Sequence, residues 1–577
     1  MSGAASETAL YAALAGELGL EFAPEPREIV LCRADRPIDP GARTVMVRRG
    51  DAAHWVLAPR TEDVDALIAH AGHASDTAPP ATIVTPSTMR DLIARTRETA
   101  ALERAVHALH RAQPEGSART VMTARQGFVL ASLVAGLGAG MVLAPTSSLL
   151  GLHGAATLSF GACIGLRALA ATSAKPPRYA PLAPVAERDL PVYSVLAVLY
   201  REAPVVPQLI AHLDRLKWPR AKLDIQLVCE VDDRETLDAI AAHGLPPHMR
   251  IVRVPGESPH VPGGVEIDCG PRTKPKALNH ALDGALGEFV VVYDAEDRPH
   301  PYQLREAHAA FRDGPDDLGC LQAALQIDNG RRSFLSRGFA MEYAALFRGL
   351  LPWLAVRRLP LPLEGTSNHF RVRALQAVGA WDPFNVTEDA DLGFRLFRAG
   401  WRVGTIQRPT IEAAPETWRV WRNQRTRWLK GWAQTWLVHM RSPARLWREA
   451  GPGGFAMLQI AMLGILGSAL LHPLMFVTLA SVLLAATADV LPSGTAGLLL
   501  AIDASNIVLG YAAMWALTRA VLRPTERWLL KGAWWRLPLY WLHLVPPAWR
   551  AIGELLYRPH HWSKTPHAPS VPPDEHG

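Results

Sequence analysis

The sequence predicts an α/β domain with a mostly parallel sheet, placed between membrane helices and preceded by a small N-terminal α/β domain. Three patterns support this fold class. Strand-like and helix-like segments alternate over residues 190–440, as in parallel sheets with crossover helices. Apolar runs long enough to cross a bilayer stand on both sides of that region. Residues 1–110 show the same alternation with shorter strands.

The composition agrees with a soluble body joined to membrane helices. The chain has 577 residues, of which 49% are hydrophobic and 20% charged, and its mean hydropathy is +0.05. The net charge is +6 and basic residues stand beside the apolar segments, which indicates a lipid membrane as partner and no nucleic acid. The five cysteines lack metal-binding spacing, so we expect reduced thiols.

Residues 1–110 are predicted to form a small soluble domain with a docking or regulatory role. Helix patterns cover 10–20 and 61–70, and strand patterns cover 28–32, 44–48 and 54–58. The first residues lack a basic segment before their apolar run, so no secretory signal is expected.

Two groups of apolar segments predict the membrane part. Runs at 127–145 and 148–166 form a hairpin within residues 126–170, and flanking arginines place both its ends in the cytoplasm. A second group occupies 455–556, and its sequence leaves the number of spans open. Residues 557–577 are expected to be a cytoplasmic tail.

Acidic residues follow two predicted strands of the central domain, where parallel sheets bind ligands. Asp232 and Asp233 could accept hydrogen bonds from a base or a ribose, or they could form a turn or helix N-cap. Asp294 and Glu296, with Asp297 beside them, could hold a hard divalent cation, or they could lie in a solvated loop.

A basic segment and an acidic segment complete the candidate site. Lys274 and Lys276 open a predicted helix and suit a diphosphate, the alternative being a solvated basic turn. Glu388 and Asp389 supply a candidate general base, because a positioned carboxylate can take a proton from a hydroxyl. The alternative for this pair is an acidic helix N-terminus stabilised by the helix dipole.

Gln424, Arg427 and Trp428 share one face of a predicted helix. An arginine on that face can bind a diphosphate, and a tryptophan offers a flat apolar surface to a sugar ring. The alternative is an aromatic helix at the membrane interface, and both interpretations are compatible.

The motifs occur in the order strand-DD, RTKPKALN, strand-DAED, TED and QRTRW, with membrane helices on both sides. This order resembles the processive, membrane-embedded family 2 glycosyltransferases, the group of cellulose, chitin and hyaluronan synthases. It is most similar to a bacterial branch near cellulose synthase catalytic subunits and the phage N4 adsorption protein B. The resemblance covers about residues 190–565, including WSKTPH, and implies a GT-A domain at 190–440. Residues 1–110 loosely resemble the N-terminal domain of type II secretion ATPases.

The resemblance assigns roles to the candidate residues. Asp232 or Asp233 would contact the nucleotide, and Lys274 and Lys276 would frame the donor. Asp294 with Glu296 or Asp297 would hold Mg²⁺ or Mn²⁺. Asp389 would be the base, with Glu388 beside it. Gln424, Arg427 and Trp428 would bind both donor and acceptor. The acceptor site would include Thr366, Asn368 and His369.

The expected function is an inverting transfer from a nucleotide-diphosphate sugar, with UDP-glucose preferred, to a growing β-linked polysaccharide that is exported. The expected location is the bacterial inner membrane, with several spans and the catalytic domain in the cytoplasm. Export or regulatory partners would bind residues 1–110. Two alternatives stay open: a non-processive transferase to a lipid acceptor, and a catalytically silent membrane receptor or scaffold.

Overall fold

A computed structural model describes residues 7–24, 29–30, 38–39, 41–49, 52–60, 63–64, 67, 80–256, 269–487 and 494–561. The chain divides into two compact units. The first comprises residues 1–105, 257–269 and 280–286, and the second comprises the remainder. The predicted helix over 61–70 and the WSKTPH motif lie largely or wholly outside the described residues.

The first unit contains a five-stranded sheet of order β1-β5-β4-β3-β2. Its strands are Glu21–Phe22 (β1), Ile29–Val30 (β2), Thr44–Arg49 (β3), Ala52–Leu57 (β4) and Ala81–Ile83 (β5). Strands β3 and β4 pair antiparallel, and β5 pairs parallel to β4. The helix Glu7–Leu18 buries Ala15 and Leu18 against Ile83. The helix Pro86–Ala112 begins in this unit and buries Met89 and Leu92 against strand valines.

The second unit contains an eight-stranded sheet of order β10-β13-β11-β12-β9-β6-β7-β8. The strands are Tyr193–Leu199 (β6), Leu223–Glu230 (β7), Met249–Val254 (β8), Phe289–Tyr293 (β9), Arg298–Pro299 (β10), Leu318–Ile327 (β11), Asn368–Arg371 (β12) and Arg402–Glu412 (β13). Strands β9, β6, β7 and β8 are parallel, as are β11 and β13. Strand β12 runs antiparallel to both of its neighbours. The mostly parallel sheet expected from the sequence is confirmed by the parallel pairs.

The apolar strands are buried by helices, as is usual for a parallel sheet. Tyr193, Val195 and Ala197 of β6 are fully buried in the same core as Val291 of β9. The helices of this domain are Val206–Asp214, Arg234–His243, Lys274–Asp283, Gln303–Asp313, Phe334–Ala345, Leu351–Val356, Val372–Ala377, Glu388–Arg398 and Trp418–His439. We call Glu388–Arg398 the acidic helix and Trp418–His439 the tryptophan helix.

Five helices in the described part of the chain are long and apolar enough to cross a membrane: 124–143, 145–173, 334–356, 443–485 and 494–521. The first two are the predicted hairpin. The apolar run over 455–487 forms one continuous helical path, from Pro443–Leu458 through Gln459–Gly464 to Ile465–Thr487. The last part of the predicted group at 455–556 is divided between two short helices, Ala533–Leu542 and Val545–Tyr557.

Candidate active site

The carboxyl ends of β6, β7 and β9 meet at one cavity of about 300 Å³, which we call the catalytic cavity. Tyr200, Glu230 and Asp294 stand at or directly after these three strand ends, and all three line it. The cavity brings together most of the residues singled out in the sequence: Lys274, Asp294, Glu296, Thr366, Glu388, Asp389, Gln424, Arg427 and Trp428. This matches the expectation that ligands bind at the carboxyl edge of parallel strands.

The tryptophan helix holds the turn that precedes the acidic helix. Gln434 accepts a hydrogen bond from the Val386 amide at 3.1 Å and donates one to the Phe384 carbonyl at 3.0 Å. The helices approach so closely at Gly431 that an added Cβ would lie less than 3.0 Å from Thr387. These contacts of Gln434 and Gly431 with the turn therefore fix the position of the carboxylates that follow Thr387.

Three charged groups converge beside Gly365. A Cβ built on this glycine would lie 3.1 Å from Asp389 Oδ2, 3.7 Å from Lys274 Nζ and 4.0 Å from Asp294 Oδ2. Lys274 Nζ donates to Asp294 Oδ1 and, at 2.6 Å, to the Gly365 carbonyl. The candidate base and the candidate metal ligand thus face a single small space.

The two carboxylates of the acidic helix do not titrate like exposed acids. Burial, and then the charge of Asp389, raise the pKa of Glu388 to about 7. Burial also raises the pKa of Asp389, although the Ala390 amide, Lys274 and Arg427 act to lower it. The Asp389 anion contributes to the raised pKa of Glu388, so the two carboxylates titrate as an interacting pair.

Two of the three predicted metal ligands face the cavity. Asp294 and Glu296 line it, whereas Asp297 is 1% exposed and does not. Asp297 Oδ2 accepts hydrogen bonds from the Asp294 amide at 2.7 Å and from the Thr366 hydroxyl. Burial and the neighbouring Asp294 and Glu296 hold its pKa well above the usual range. Asp297 therefore supports the turn, and Asp294 and Glu296 are the predicted metal ligands that line the cavity.

The chemistry of this donor set fits Mg²⁺ or Mn²⁺. Hard cations of this kind are held by one or two carboxylates and take further oxygens from substrate phosphates and water. Among the described residues, no group of three or more His, Cys, Asp or Glu side chains is arranged as a metal site. Asp294 and Glu296 are only two carboxylates, so they do not form a group of this kind.

The nucleotide assignments need correction at two residues. Asp233 is buried and caps the helix Arg234–His243, accepting hydrogen bonds from the Thr236 and Arg201 amides. Lys276 is 1% exposed and pairs with Glu230 at 3.3 Å beneath the cavity. Neither side chain lines the cavity, because each is used to hold the backbone that does.

Asp232 is exposed and reaches the cavity wall through Arg272. Its carboxylate lies 2.8 Å from Arg272 Nη2. Arg272 lines the cavity and also donates to the Tyr200 hydroxyl at 3.1 Å. Asp232 therefore positions Arg272, the first residue of the basic RTKPKALN segment.

The acceptor assignments are corrected at Asn368 and His369. His369 is 0% exposed inside the sheet and is hydrogen-bonded to Tyr193 at 2.7 Å and to Gln303 at 3.2 Å. Burial lowers its pKa to about 3. Asn368 is also buried and donates to the Glu364 carbonyl. Both begin strand β12, whose antiparallel insertion was not apparent from the sequence. Thr366 alone of the three lines the cavity.

Gln424, Arg427 and Trp428 form the wall contributed by the tryptophan helix. Gln424 Oε1 and Arg427 Nε are buried without a hydrogen-bond partner among the described residues. Trp428 contacts Tyr343, with ring centroids 6.5 Å apart and planes nearly parallel, and the Arg425 guanidinium lies over its ring at 4.6 Å. Unpartnered polar atoms facing a cavity indicate that a polar ligand belongs there.

A second cavity, which we call the apolar cavity, has a volume of about 130 Å³ and shares Tyr343, Glu364 and Trp428 with the catalytic cavity. Ten of its 22 lining residues are leucine, isoleucine or methionine from the candidate membrane helices, and four are charged: Arg167, Glu342, Glu364 and Arg425. Trp428 therefore stands where the two cavities meet.

Two carboxylates in the catalytic cavity have strongly raised pKa values and were not singled out in the sequence. Burial, and then Asp389, raise the pKa of Glu364 to about 8, and burial with Asp297 holds the pKa of Glu412 well above its usual range. Glu364 directly precedes Gly365 and Glu412 ends β13. A search for acids at every strand end would have found Glu412, but nothing local marks Glu364.

Comparison with known proteins addresses the family. The family model for glycosyl transferase family group 2 matches residues 289–493, which includes the DAED, TED and QRTRW motifs. The match to family 2 glycosyltransferases thus covers 205 of the 577 residues of this chain. The eight-stranded sheet, with Asp294 following β9, is a GT-A-like glycosyltransferase fold.

Similar proteins match part of this chain over part of their own length. A probable glycosyltransferase YdaM of Bacillus subtilis is 25% identical over 250 residues, 42% of this chain and 56% of that protein. A beta-monoglucosyldiacylglycerol synthase of Trichormus variabilis is 25% identical over 280 residues, 48% and 55% respectively. The chain thus spans about half the length of these relatives. The mannosyltransferase PcManGT from Pyrobaculum calidifontis, solved with GDP-Man and Mn²⁺, is 18% identical with a TM-score of 0.41, covering 70% of this chain and 99% of that one.

Proposed function

We propose that this glycosyltransferase transfers a sugar from a nucleotide-diphosphate donor to an acceptor hydroxyl with inversion at the anomeric carbon, using Asp389 as the base. The observation that carries the proposal is the convergence of Asp389, Lys274 and Asp294 beside Gly365. A base, a cation and a metal-binding carboxylate around one small space are what a direct displacement of a diphosphate requires.

The donor would lie along the carboxyl edge of the sheet. Its nucleoside would contact Tyr200 and Arg272, and its diphosphate would lie between Lys274 and Arg427. Mg²⁺ or Mn²⁺ held by Asp294 and Glu296 would neutralise negative charge on the diphosphate. UDP-glucose is the donor that we propose to test first.

Proton removal would fall to Asp389 because its Oδ2 faces the space beside Gly365 that Lys274 and Asp294 also face. Lys274 and Arg427 favour its charged form, and Glu388 holds a proton up to a pH of about 7. As the acceptor oxygen attacks, Asp389 takes the proton and the bond to the diphosphate breaks on the opposite face of the sugar. Arg427, whose Nε has no partner among the described residues, would stabilise the departing diphosphate.

The first candidate acceptor is the end of a growing polysaccharide that leaves through the membrane helices. Trp428 supports this candidate because its ring stands between the catalytic and apolar cavities, where a sugar could stack. In this form of the proposal the chain is a multi-pass inner-membrane enzyme with its catalytic domain in the cytoplasm, and the product is exported.

The second candidate acceptor is a lipid with a hydroxyl group. The apolar cavity favours it, because leucine, isoleucine and methionine side chains suit a hydrocarbon chain better than a polar glucan. Relatives named beta-monoglucosyldiacylglycerol synthase agree with this candidate.

The test is incubation of the purified full-length protein with Mn²⁺ and a panel of UDP- and GDP-sugars, with and without added diacylglycerol. Released nucleotide identifies the donor, and product sizing separates a polymer from a lipid carrying one sugar. No turnover with any donor, with Asp389→Asn indistinguishable from wild type, would reject the proposal and favour a receptor or scaffold.

A further inference from the structure

A third cavity, of about 440 Å³, lies at the opposite ends of the two helices that supply the catalytic groups. It is lined by the last turn of the acidic helix, by the end of the tryptophan helix and by the start of the helix Pro443–Leu458. We call it the arginine cavity, because Arg395, Arg398, Arg441 and Arg445 all line it. Its size is in the range of small-molecule sites.

The arginines of this cavity are not balanced by carboxylates in its walls. Arg398 and Arg445 share one partner, Glu449, at 2.6 Å from each. Arg441 donates to the backbone carbonyls of residues 114, 115, 117 and 120 and has no carboxylate partner in the described part of the chain. Glu115 is the other acid in the lining, 3.8 Å from Arg445. The walls therefore carry excess positive charge.

A buried donor in this cavity is also unused. Arg395 is 6% exposed, and its Nε and Nη1 bind Asp391 and the Val378 carbonyl, both at 2.7 Å. Its Nη2 has no hydrogen-bond partner among the described residues. Buried guanidinium nitrogens without partners are uncommon, and they indicate a missing acceptor.

The neighbouring histidine cannot supply that acceptor. His439 Nδ1 faces Arg398 Nη1 at 3.0 Å and therefore accepts, so its Nε2 carries the hydrogen that it donates to Asp391 at 3.0 Å. Both of its nitrogens are thus used, and burial lowers its pKa, which keeps the ring neutral.

We propose that the arginine cavity binds a phosphate-bearing anion. Planar guanidinium groups match phosphate oxygens in pairs, and the four here are opposed by three carboxylates: Glu449 and Glu115 in the walls, and Asp391 paired with Arg395. Arg441 also binds the carbonyl of Thr120, three residues before the cap of the candidate span Ala124–Leu143. A lipid headgroup and a soluble phosphate compound are therefore both sources of the same chemistry.

The experiment measures pyrophosphate binding to the full-length protein in neutral detergent by titration calorimetry. It compares the wild type, Arg398→Gln/Arg445→Gln, and Arg419→Gln/Arg448→Gln, which removes the same charge from outside the cavity. Pyrophosphate in the catalytic cavity is common to all three proteins and cancels in the comparison. We expect the first double variant alone to lose a class of sites or to bind at least tenfold more weakly. Equal isotherms for all three proteins would overturn the proposal.

Arg445→Gln alone is the second variant, because Arg445 is about half exposed and its loss leaves Glu449 paired with Arg398. We expect intermediate binding from it, and wild-type binding would count against the site. Repeating the titration in phosphatidylcholine and phosphatidylglycerol nanodiscs separates the sources. Weaker pyrophosphate binding in phosphatidylglycerol indicates a lipid headgroup, and equal binding in both indicates a soluble phosphate compound.

Discussion

The ammonium group of Lys274 is hydrogen-bonded to the carboxylate of Asp294, the residue that we propose as a metal ligand. The Lys274 ammonium group and a metal ion from solution would thus both bind the Asp294 carboxylate. Asp294 and the nearby Glu388 and Asp389 act to raise the pKa of Lys274, so the amine stays charged.

Replacing Lys274 with methionine should strengthen Mn²⁺ binding and weaken donor binding. The metal loses a competing positive charge, and the diphosphate loses one of its cations. We expect each dissociation constant to change on the order of tenfold, about 1.4 kcal/mol. Calorimetry with Mn²⁺ and then with donor measures both. Lys222→Met, which removes a lysine that binds carbonyls at the other end of β7, is the control. Weaker Mn²⁺ binding in Lys274→Met would contradict this account.

Replacing Asp389 with asparagine should reduce turnover about 10² to 10⁴-fold, because the amide cannot accept the acceptor's proton. Folding should be unchanged, since the asparagine oxygen can still accept from the Ala390 amide as Asp389 Oδ1 does. Nucleotide release measures turnover, and thermal unfolding checks the fold. Asp313→Asn, on the surface, is the control. Turnover near wild type would assign the base to another residue.

Glu388 should give the enzyme a titration near neutral pH. Its pKa is raised from 4.5 to about 7. Between these two pH values Glu388 therefore keeps its proton in the folded protein and has lost it in the unfolded chain. The stability that it contributes is complete below about pH 4.5 and is lost as pH rises through about 7. We expect an inflection near pH 7 in kcat/KM of the wild type that Glu388→Gln lacks. Superimposable pH profiles would show that Glu388 does not titrate there.

Replacing Gly431 with alanine should reduce activity more than its position on a helix would suggest. The added methyl group must displace Thr387, which precedes both carboxylates. We expect about 1–3 kcal/mol of destabilisation from overpacking and a fall in turnover. Gly553→Ala is the control, because nothing lies within 4 Å of its Cβ position and a helical alanine is favoured by up to about 1 kcal/mol. Unchanged turnover in Gly431→Ala would mean that the turn tolerates movement.

Sequence patterns predicted the parallel strands and the apolar helices 124–143 and 145–173, because both depend on local runs of apolar residues. They also brought Asp294, Asp389 and Arg427 into one site, since strand ends and helix faces have local signatures. Strand β12 was missed because its place between β9 and β11 is decided by pairing with distant residues. That insertion buries His369 inside the sheet, so it does not line the catalytic cavity. No feature of its neighbours in the sequence indicates this burial.

Asp233 and Lys276 show a second limit. A carboxylate that caps a helix and one that binds a nucleotide follow a strand in the same way, and only the hydrogen bonds from the Arg201 and Thr236 amides distinguish them. The raised pKa values of Glu364 and Glu412 are also invisible in sequence, because they arise from charges brought together by folding.

The tryptophan helix obtains its buried partners from the end of the chain. Arg425 binds Tyr540 at 2.9 Å, and Lys430, 1% exposed, binds Glu554 at 3.1 Å and the His561 carbonyl at 2.6 Å. Arg425 also binds Glu342 at 2.6 Å, so residues that precede the tryptophan helix and residues that follow it both hold it in place. A change in the position of residues 540–561 would therefore displace the helix that carries Arg427 and Trp428.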